Sequence, residues 1–243
     1  MKKSKLAKVL TVSLAALMVF GLASCGGGSG KVSDKDITVI SREEGSGTRD
    51  AFTELTGVLQ DDVDKTVDTA EISNSTSVVT QSVAGNDAAI GYISLGSLDD
   101  TVKAVKVDGV EATVDNIKSG DYKIQRPFNI VTKGEVKELP ADFIKFIMSK
   151  DGQKIIEDEG YISVNDNAEA YKASGLKGSI TLAGSTSVSP VMEVLADKYK
   201  ELNSGVTIEI QQTGSGAGIQ STTEGVCDIG MASRELKDEE TSQ

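Results

Sequence analysis

The stretch ITVISREEGSGTRDAF, residues 37–52, combines an apolar run, a glycine-rich turn and the beginning of a helical pattern. Residues 37–41 are typical of a buried strand, and residues 48–57 are typical of a helix that ends at Gly57. Arg42 stands at the end of the predicted strand, just before the turn. A strand, a turn of small residues and a helix in this order predict one unit of an α/β fold.

The same alternation of strand and helix continues along the 243-residue chain. Asp108-Gly109 lies between two apolar runs, at residues 102–107 and 110–114, which predicts a β-hairpin. Residues 235–243 show no pattern for a further element. We therefore predict an α/β fold with a largely parallel sheet. The further predicted strands are 69–73, 88–95, 127–133, 178–185, 206–212 and 227–233, and the further predicted helices are 75–84, 140–160, 191–203 and 217–225.

The first 24 residues are typical of a bacterial secretory signal peptide. Four lysines precede an apolar run at residues 9–23, and this run is shorter than the roughly 20 residues that a membrane span needs. Leu-Ala-Ser before Cys25 resembles the lipobox of bacterial lipoproteins, in which the cysteine is diacylated and becomes the new N-terminus. A simple cleaved signal is the alternative. We expect Cys25 to anchor the chain to the cell membrane and residues 25–36 to form a flexible tether.

The composition argues against several classes of function. Removal of the signal and its four lysines takes the formal net charge from −12 to −16, and so acidic a surface repels nucleic acid. The chain has no histidine, which removes the commonest general base and the commonest metal ligand. Cys227 is the one cysteine after Cys25, so we expect no internal disulfide and no cysteine-based metal site. We expect no cofactor.

Three turns rich in glycine and serine stand between a predicted strand and a predicted helix. The N-terminus of a helix presents free N–H groups and a favourable dipole to an anion, and serine and threonine hydroxyls add further donors. One such turn is usually only a helix cap, whereas three, one of them next to Arg42, indicate a site for a small oxyanion. Neither the P-loop nor the dinucleotide-binding pattern fits these turns. They are Gly45-Ser46-Gly47-Thr48, Gly184-Ser185-Thr186-Ser187 and Gly214-Ser215-Gly216-Ala217-Gly218.

Several segments resemble the phosphate-binding proteins of ABC importers: AGSTSVSP, QQTGSGAGI, CDIGMASRELKDEE and the opening stretch, with residues 72–98 and 127–134. The resemblance implies a type II periplasmic-binding-protein-like architecture, in which two α/β lobes close on one phosphate by a hinge motion. It also implies an extracytoplasmic receptor that delivers phosphate to an ABC permease and is not an enzyme. The implied phosphate contacts are Arg42, Ser46, Gly47 and Thr48 from a lobe at residues 37–125, and Thr186, Ser187, Ser215 and Ser233 from a lobe at residues 126–243.

The order of the motifs departs from the family. The family's pattern places the AGSTS, GSGAG and DIG motifs before ISREEGSGT, and this chain has them after it. The stretch that would link SRELKDEE to ITVISREEGSGT is absent. Three explanations remain open: deletions within a tandem duplication, a circular permutation, or a partial product that needs a second chain. We expect an incomplete sheet edge to favour self-association or completion by another chain.

Three acidic or polar positions bear on how the anion is held. The resemblance places an aspartate of some family members where this chain has Ser233, and such a carboxylate would accept a hydrogen bond from the O–H of phosphate and repel sulfate. Asp50 is interpreted either as its substitute or as an ordinary residue of the first helical turn. Glu44 is interpreted either as the partner that holds Arg42 or as a solvated carboxylate. We predict that phosphate is preferred to sulfate.

Two other functions compete with phosphate delivery. The first is a membrane-anchored interaction or sensor protein that has lost phosphate binding or needs a second chain to complete the site. The second is a phosphatase, which the lack of a nucleophile with an adjacent base argues against.

Overall fold

The structure is a computed structural model, and it describes residues 36–241. The predicted signal peptide, Cys25 and the tether up to residue 35 lie outside the described residues. Within the described part of the chain, no helix is long and apolar enough to cross a membrane. The fold contains two main sheets, one built from residues 38–91 and one from residues 129–232. The lobe boundaries at residues 37–125 and 126–243 stay a prediction.

The first sheet has three parallel strands in the order β4-β1-β5, so β1 is central. Helices α1 and α2 each begin a few residues after a strand of this sheet ends. The carboxyl ends of parallel strands meet at one edge, and the register pairs Arg42 of β1 with Ser73 of β4. The elements of this part are β1 (Thr38–Arg42), α1 (Gly47–Leu55), β2 (Leu59–Gln60), β3 (Val63–Asp64), β4 (Glu71–Ser73), α2 (Thr76–Ala84), β5 (Ala89–Gly91) and α3 (Val114–Lys118).

The second sheet has four strands in the order β6-β9-β7-β8. The central strand β7 is parallel to both neighbours, while β6 pairs antiparallel with β9 at the edge. Here too, helices begin at the carboxyl ends of the parallel strands. The elements of this part are β6 (Asn129–Val131), α4 (Glu138–Ile147), α5 (Lys150–Asp158), β7 (Gly178–Gly184), α6 (Ser189–Leu202), β8 (Val206–Gln212), α7 (Ser215–Thr223), β9 (Ile229–Ala232) and α8 (Asp238–Thr241).

The main hydrophobic core lies between the second sheet and its helices. Phe143 and Phe146 of α4 and Leu195 of α6 pack with Leu182 of β7 and Ile229 of β9, and all five side chains are almost fully buried. Full burial of such side chains stabilises the fold by about 1.5–3 kcal/mol each. The core therefore fixes the ends of β7 and β9, which are followed by the Gly184–Ser187 turn and by Ser233.

The predicted α/β class is confirmed, and two local predictions are wrong. The runs around Asp108-Gly109 do not form paired strands: only an isolated bridge joins Val107 to Val110. Asp108 and Gly109 do adopt the positive φ of the expected turn, at 51° and 82°. Val105, however, is 60% exposed, so the preceding run does not bury the apolar face that stabilises a strand.

The predicted single helix at 140–160 is two helices. Ser149 ends the first by donating from Oγ to the carbonyl oxygen of Phe146, and it caps the second by accepting from the backbone N–H of Gly152. A Cβ on Gly152 would lie 2.3 Å from the carbonyl oxygen of Phe146, so the tight bend requires glycine. Local capping therefore interrupts a continuous helical pattern. The stretch without a predicted element, residues 235–243, contains the short helix α8.

Candidate functional site

Arg42 lies at the end of β1 and is only 2% exposed. Its Nη2 donates to Thr186 Oγ1 at 3.0 Å, its Nη1 to Thr76 Oγ1 at 3.3 Å, and its Nε to the carbonyl oxygen of Ser73 at 3.2 Å. The side chain therefore extends from the first sheet to the turn after β7 of the second. A guanidinium held in this way presents a rigid planar set of donors.

Glu43 balances the charge of Arg42. Its Oε2 lies 2.8 Å from Arg42 Nε and its Oε1 lies 2.9 Å from Arg42 Nη2, which is a bidentate pair. Glu44, the residue expected to hold Arg42, is exposed. The alternative interpretation of Glu44 as a solvated carboxylate is therefore confirmed, and the supporting role belongs to the preceding residue.

Buried hydroxyl groups from the two parts of the chain meet beside Arg42. Thr48 Oγ1 lies 2.9 Å from Ser187 Oγ and 3.2 Å from Ser233 Oγ. Thr76 Oγ1 lies 3.1 Å from Thr186 Oγ1 and 3.0 Å from Ser187 Oγ. Every member is at most 6% exposed. We call this set the hydroxyl cluster; its members are Thr48, Thr76, Ser185, Thr186, Ser187, Ser215 and Ser233.

Two of the glycine-rich turns touch each other directly. Gly216 donates its backbone N–H to the carbonyl oxygen of Gly45 at 3.0 Å. A Cβ on Gly47 would lie 2.5 Å from Ser215 Oγ, closer than real Cβ atoms approach. Gly45 and Gly214 adopt positive φ angles of 81° and 87°, a conformation that glycine takes without strain. Glycine at these positions therefore lets the two helix starts approach backbone to backbone.

The structure brings the eight predicted site residues close together, with six in one hydrogen-bonded network and Ser46 and Gly47 beside it. Ser46 accepts a hydrogen bond from the backbone N–H of Arg49 at 3.4 Å and caps α1. Its side chain is buried, and its O–H proton is still able to donate. Gly47, the first residue of α1, lies at the contact between the turns. The hydrogen-bonded network contains the other six predicted residues: Arg42, Thr48, Thr186, Ser187, Ser215 and Ser233.

Three residues of the site were not predicted from the sequence. Thr76 begins α2 after the strand that ends at Ser73, so a fourth strand–turn–helix junction supplies it. Ser185 Oγ donates to Ser233 Oγ at 2.9 Å from within a turn that had been recognised. Arg126 precedes β6 and donates from Nε to the carbonyl oxygen of Ser233 at 2.9 Å and from Nη2 to Thr48 Oγ1 at 3.2 Å.

A compositional signal exists for Arg126. The chain has only four arginines, and the other cationic side chains are lysines. Arg42 and Arg126 contact the hydroxyl cluster, Arg49 donates to the carbonyl oxygen of Arg42, and Arg234 follows Ser233 in the chain. All four arginines therefore lie in or next to this site, where a planar, multidentate cation is useful.

Asp50 is paired with a cation outside the hydroxyl cluster. Its Oδ2 accepts from Arg234 Nε at 2.9 Å, and Arg234 bonds Glu240 through Nη1 and Nη2 at 2.7 Å each. The hydrogen bonds that Arg234 donates to Glu240 raise the pKa of Arg234, and the nearby charge of Asp50 does so as well. Asp50 lies in the first turn of α1, as one interpretation held, and its carboxylate is directed to Arg234.

The arrangement provides many donors and one firmly held guanidinium. The N-termini of α1, α2, α6 and α7 all lie next to members of the hydroxyl cluster, and each presents the positive end of a helix dipole. Among residues 36–241, no group of three or more histidine, cysteine or acidic side chains is placed to hold a metal ion. An open cleft of about 640 Å³, lined by Thr76, Thr186, Ser77 and Gln212 among others, leads to the cluster from outside. The site is therefore suited to binding an oxyanion.

Comparisons with known proteins identify relatives along the whole chain. A family model described as a PBP superfamily domain matches residues 28–151 and 169–243. The phosphate-binding protein PstS 2 of Streptococcus agalactiae serotype V is 51% identical over 250 aligned residues, which cover 100% of this chain and 84% of that protein. PstS 2 of Streptococcus pneumoniae serotype 4 is 49% identical, with 97% and 84% covered.

Two solved structures are similar as well. The crystal structure of a phosphate-binding protein of a phosphate ABC transporter from Streptococcus pneumoniae has 50% sequence identity and a TM-score of 0.69, with 86% of this chain and 82% of that chain covered. A putative phosphate ABC transporter substrate-binding protein from Clostridium perfringens, crystallised with bound phosphate, has 46% identity and a TM-score of 0.50, with 53% and 52% covered.

These matches also bear on the order of the motifs. A sequence alignment preserves residue order, and one alignment covers this entire chain. The streptococcal relatives therefore have the same order, with the arginine and GSGT turn before the other turns. The three explanations for the origin of that order stay open.

Proposed function

The chain belongs to the phosphate-binding protein family of the PBP superfamily, and we propose that it binds inorganic phosphate outside the cytoplasm and delivers it to an ABC-type importer. The observation that carries this proposal is the contact between Arg42 and the hydroxyl cluster. A charged guanidinium and buried hydroxyls from two sheets converge there on one point. Such convergent donors suit a tetrahedral oxyanion, which exposes acceptor oxygens in four directions.

The proposed contacts follow from the position of each group. Arg42 binds phosphate oxygens with its fork of N–H donors. Ser46, Gly47 and Thr48 present hydroxyl and backbone donors at the start of α1. Thr186, Ser187, Ser215 and Ser233 donate from the opposite sheet. Since these groups lie on lobes proposed at residues 37–125 and 126–243, phosphate binding would favour the closed arrangement of the lobes.

We also propose that the protein is a lipoprotein attached to the cell membrane. The support is the signal-like sequence of residues 1–24 followed by Cys25 and a glycine-rich stretch. Acylation of Cys25, with palmitate among the acyl groups, would hold the protein beside its permease. The tether at residues 25–36 would allow the folded part to reach the permease.

The proposed role is binding without catalysis. The sequence has no histidine, and the serine and threonine hydroxyls of the site bond to one another and to arginine. A hydroxyl nucleophile needs an adjacent base to be activated. Absence of phosphate release from a phosphomonoester, with and without divalent metal ions, is the expected result, and turnover that depends on Arg42 would contradict it.

Self-association, or completion by another chain, is a further proposal. It is supported by the small first sheet, in which β4 and β5 are both edge strands within residues 36–241. Unpaired edges offer backbone donors and acceptors to another strand. Light scattering at micromolar concentration tests it, and a monodisperse monomer would count against it.

The test of phosphate binding is isothermal titration calorimetry on residues 26–243 freed of phosphate. We expect saturable binding to the wild type and loss of most affinity in Arg42→Ala. Lys65→Ala is the matched control, because Lys65 is an exposed cation in the same part of the chain. No binding by a folded wild-type protein would overturn the proposal.

A further inference from the structure

Arg126 contacts the hydroxyl cluster but belongs to none of the three glycine-rich turns. It lies between α3 and β6. Its Nη2 is 3.2 Å from Thr48 Oγ1, and its guanidinium carbon is 5.3 Å from the centre of the Phe128 ring. Thr48 Oγ1 is itself 2.9 Å from Ser187 Oγ. One hydroxyl group therefore separates Arg126 from the middle of the cluster.

Three arginines near the cluster differ in how many carboxylate partners they have. Arg42 has a bidentate partner in Glu43, and Arg234 has Asp50 and Glu240. Within residues 36–241, Arg126 has no carboxylate oxygen within 4 Å, and its bonds go to a carbonyl and a hydroxyl. Among the arginines that contact the hydroxyl cluster, Arg42 is therefore paired with a carboxylate, and Arg126 is paired with none from the described chain.

Such a charge is unfavourable unless an anion accompanies it. Burial, and then the positive charge of Arg42, lower the pKa of Arg126 to about 10. A partly buried cation near a second cation loses hydration and gains repulsion. A bound oxyanion would supply the missing negative charge at a distance where the interaction is strong.

We propose that Arg126 is a second arginine contact for the bound phosphate and supplies a positive charge that is not paired with a carboxylate. The inference rests on the proposed function, since it assigns a residue to the same site. Arg42, neutralised by Glu43, then mainly orients the ligand, while Arg126 provides the electrostatic attraction. The ligand class that fits is a tetrahedral oxyanion with more than one negative charge.

A purely structural role for Arg126 makes different predictions. Its bond to the carbonyl oxygen of Ser233 joins β6 to the end of β9. If that bond were its whole function, substitution would lower stability equally with and without phosphate. If Arg126 binds the ligand, substitution changes chiefly the gain in stability that phosphate produces.

The experiment compares three variants by calorimetry and by thermal unfolding with and without phosphate. Arg126→Gln keeps a hydrogen-bond donor and removes the charge, Arg126→Lys keeps the charge and loses the fork, and Lys123→Ala removes an exposed cation three residues away. We expect Arg126→Gln to lose about tenfold or more in phosphate affinity and most of the phosphate-induced rise in Tm. Arg126→Lys should lose less, and Lys123→Ala should behave as the wild type.

Each outcome decides the matter. Affinity of Arg126→Gln within about threefold of the wild type would overturn the inference while the proposed function stands. Equal losses in the Gln and Lys variants would also overturn it, because they would show that charge is not what matters. If the Gln variant does not fold, Arg126→Lys decides: a loss of about threefold to tenfold supports the inference, and affinity equal to that of the wild type or loss of all binding overturns it. A folded wild type that binds no phosphate would overturn both proposals together.

Discussion

Arg234 Nε donates to Asp50 Oδ2 at 2.9 Å, and this ion pair connects the segment after β9 to helix α1. The guanidinium is almost fully buried, and Asp50 is about a quarter exposed. The pair lies beside the contact between Gly47 and Ser215, where the Arg234 Cγ also approaches. It therefore holds the two halves of the site together from outside the hydroxyl cluster.

Asp50→Asn is expected to weaken this connection. The variant keeps the size of the side chain and loses the charge, while Arg234 retains Glu240 as a partner. We expect a loss of about 1 kcal/mol in the free energy of unfolding, since partly exposed pairs contribute modestly. Phosphate affinity should fall by a factor of about two to ten, because closure loses a favourable contact.

Urea unfolding and calorimetry measure the two effects of Asp50→Asn. Asp68→Asn is the control, because Asp68 is an exposed acidic residue in the same part of the chain. An Asp50→Asn variant indistinguishable from the Asp68→Asn variant would show that the ion pair contributes nothing.

Glu240 is expected to make stability depend on pH. Hydrogen bonds from Arg234 hold the pKa of Glu240 below its ordinary value of 4.5, against the opposing effect of burial. A carboxyl whose pKa is lower in the folded state stabilises the fold above its unfolded-state pKa, and this stabilisation is lost as the pH falls through the folded-state value. Glu240→Gln should therefore be less stable than the wild type at pH 7, and the difference should shrink below pH 4.5. A difference that is constant with pH, measured by urea unfolding, would contradict this mechanism.

Gly47→Ala is expected to impair both ligand binding and stability. The added Cβ would lie 2.5 Å from Ser215 Oγ and 2.9 Å from Ser215 Cβ, so the opposing turn must move away. We expect phosphate affinity to fall about tenfold or more, and stability to fall by about 1–3 kcal/mol as for other overpacked sites. Gly85→Ala is the control, because Gly85 ends α2 with a helical φ of −84° and its added Cβ would approach only carbonyl oxygens of α2 itself. Equal affinities for the two variants would show that close approach of the turns is not needed.

The strand–turn–helix units were predicted better from the sequence than the segments that connect them. Strand β8 has the bounds predicted for it, residues 206–212, and Arg42 lies at the end of a strand as expected. These features depend on local periodicity and on turn residues, which a sequence displays directly. The hairpin at Asp108-Gly109 failed because turn chemistry does not supply the packed face that strands require.

Which residues form the site depends on contacts between parts of the chain that are far apart in sequence. Glu43 rather than Glu44 pairs with Arg42 because the direction of each side chain is set by the turn, which spacing alone does not reveal. Arg126 is 78 residues from its partner Thr48 in the chain. No local motif marks it, and only the rarity of arginine in a lysine-rich chain could have indicated it.

The preference for phosphate over sulfate is expected to be modest and to depend on Ser233. Among residues 36–241, the hydrogen bonds of the hydroxyl cluster involve hydroxyls, backbone groups and arginines, while Glu43 and Asp50 are directed to Arg42 and Arg234. A serine oxygen accepts a hydrogen bond from the O–H of protonated phosphate, but it does not repel the unprotonated sulfate as a carboxylate would. Ser233→Asp should therefore widen the preference for phosphate, provided that the added charge is offset by Arg126. Competition titrations of the wild type and Ser233→Asp at one pH measure both ratios. Equal affinity of the wild type for the two anions would contradict the predicted preference, and an unchanged ratio in Ser233→Asp would show that this position does not contact the ligand.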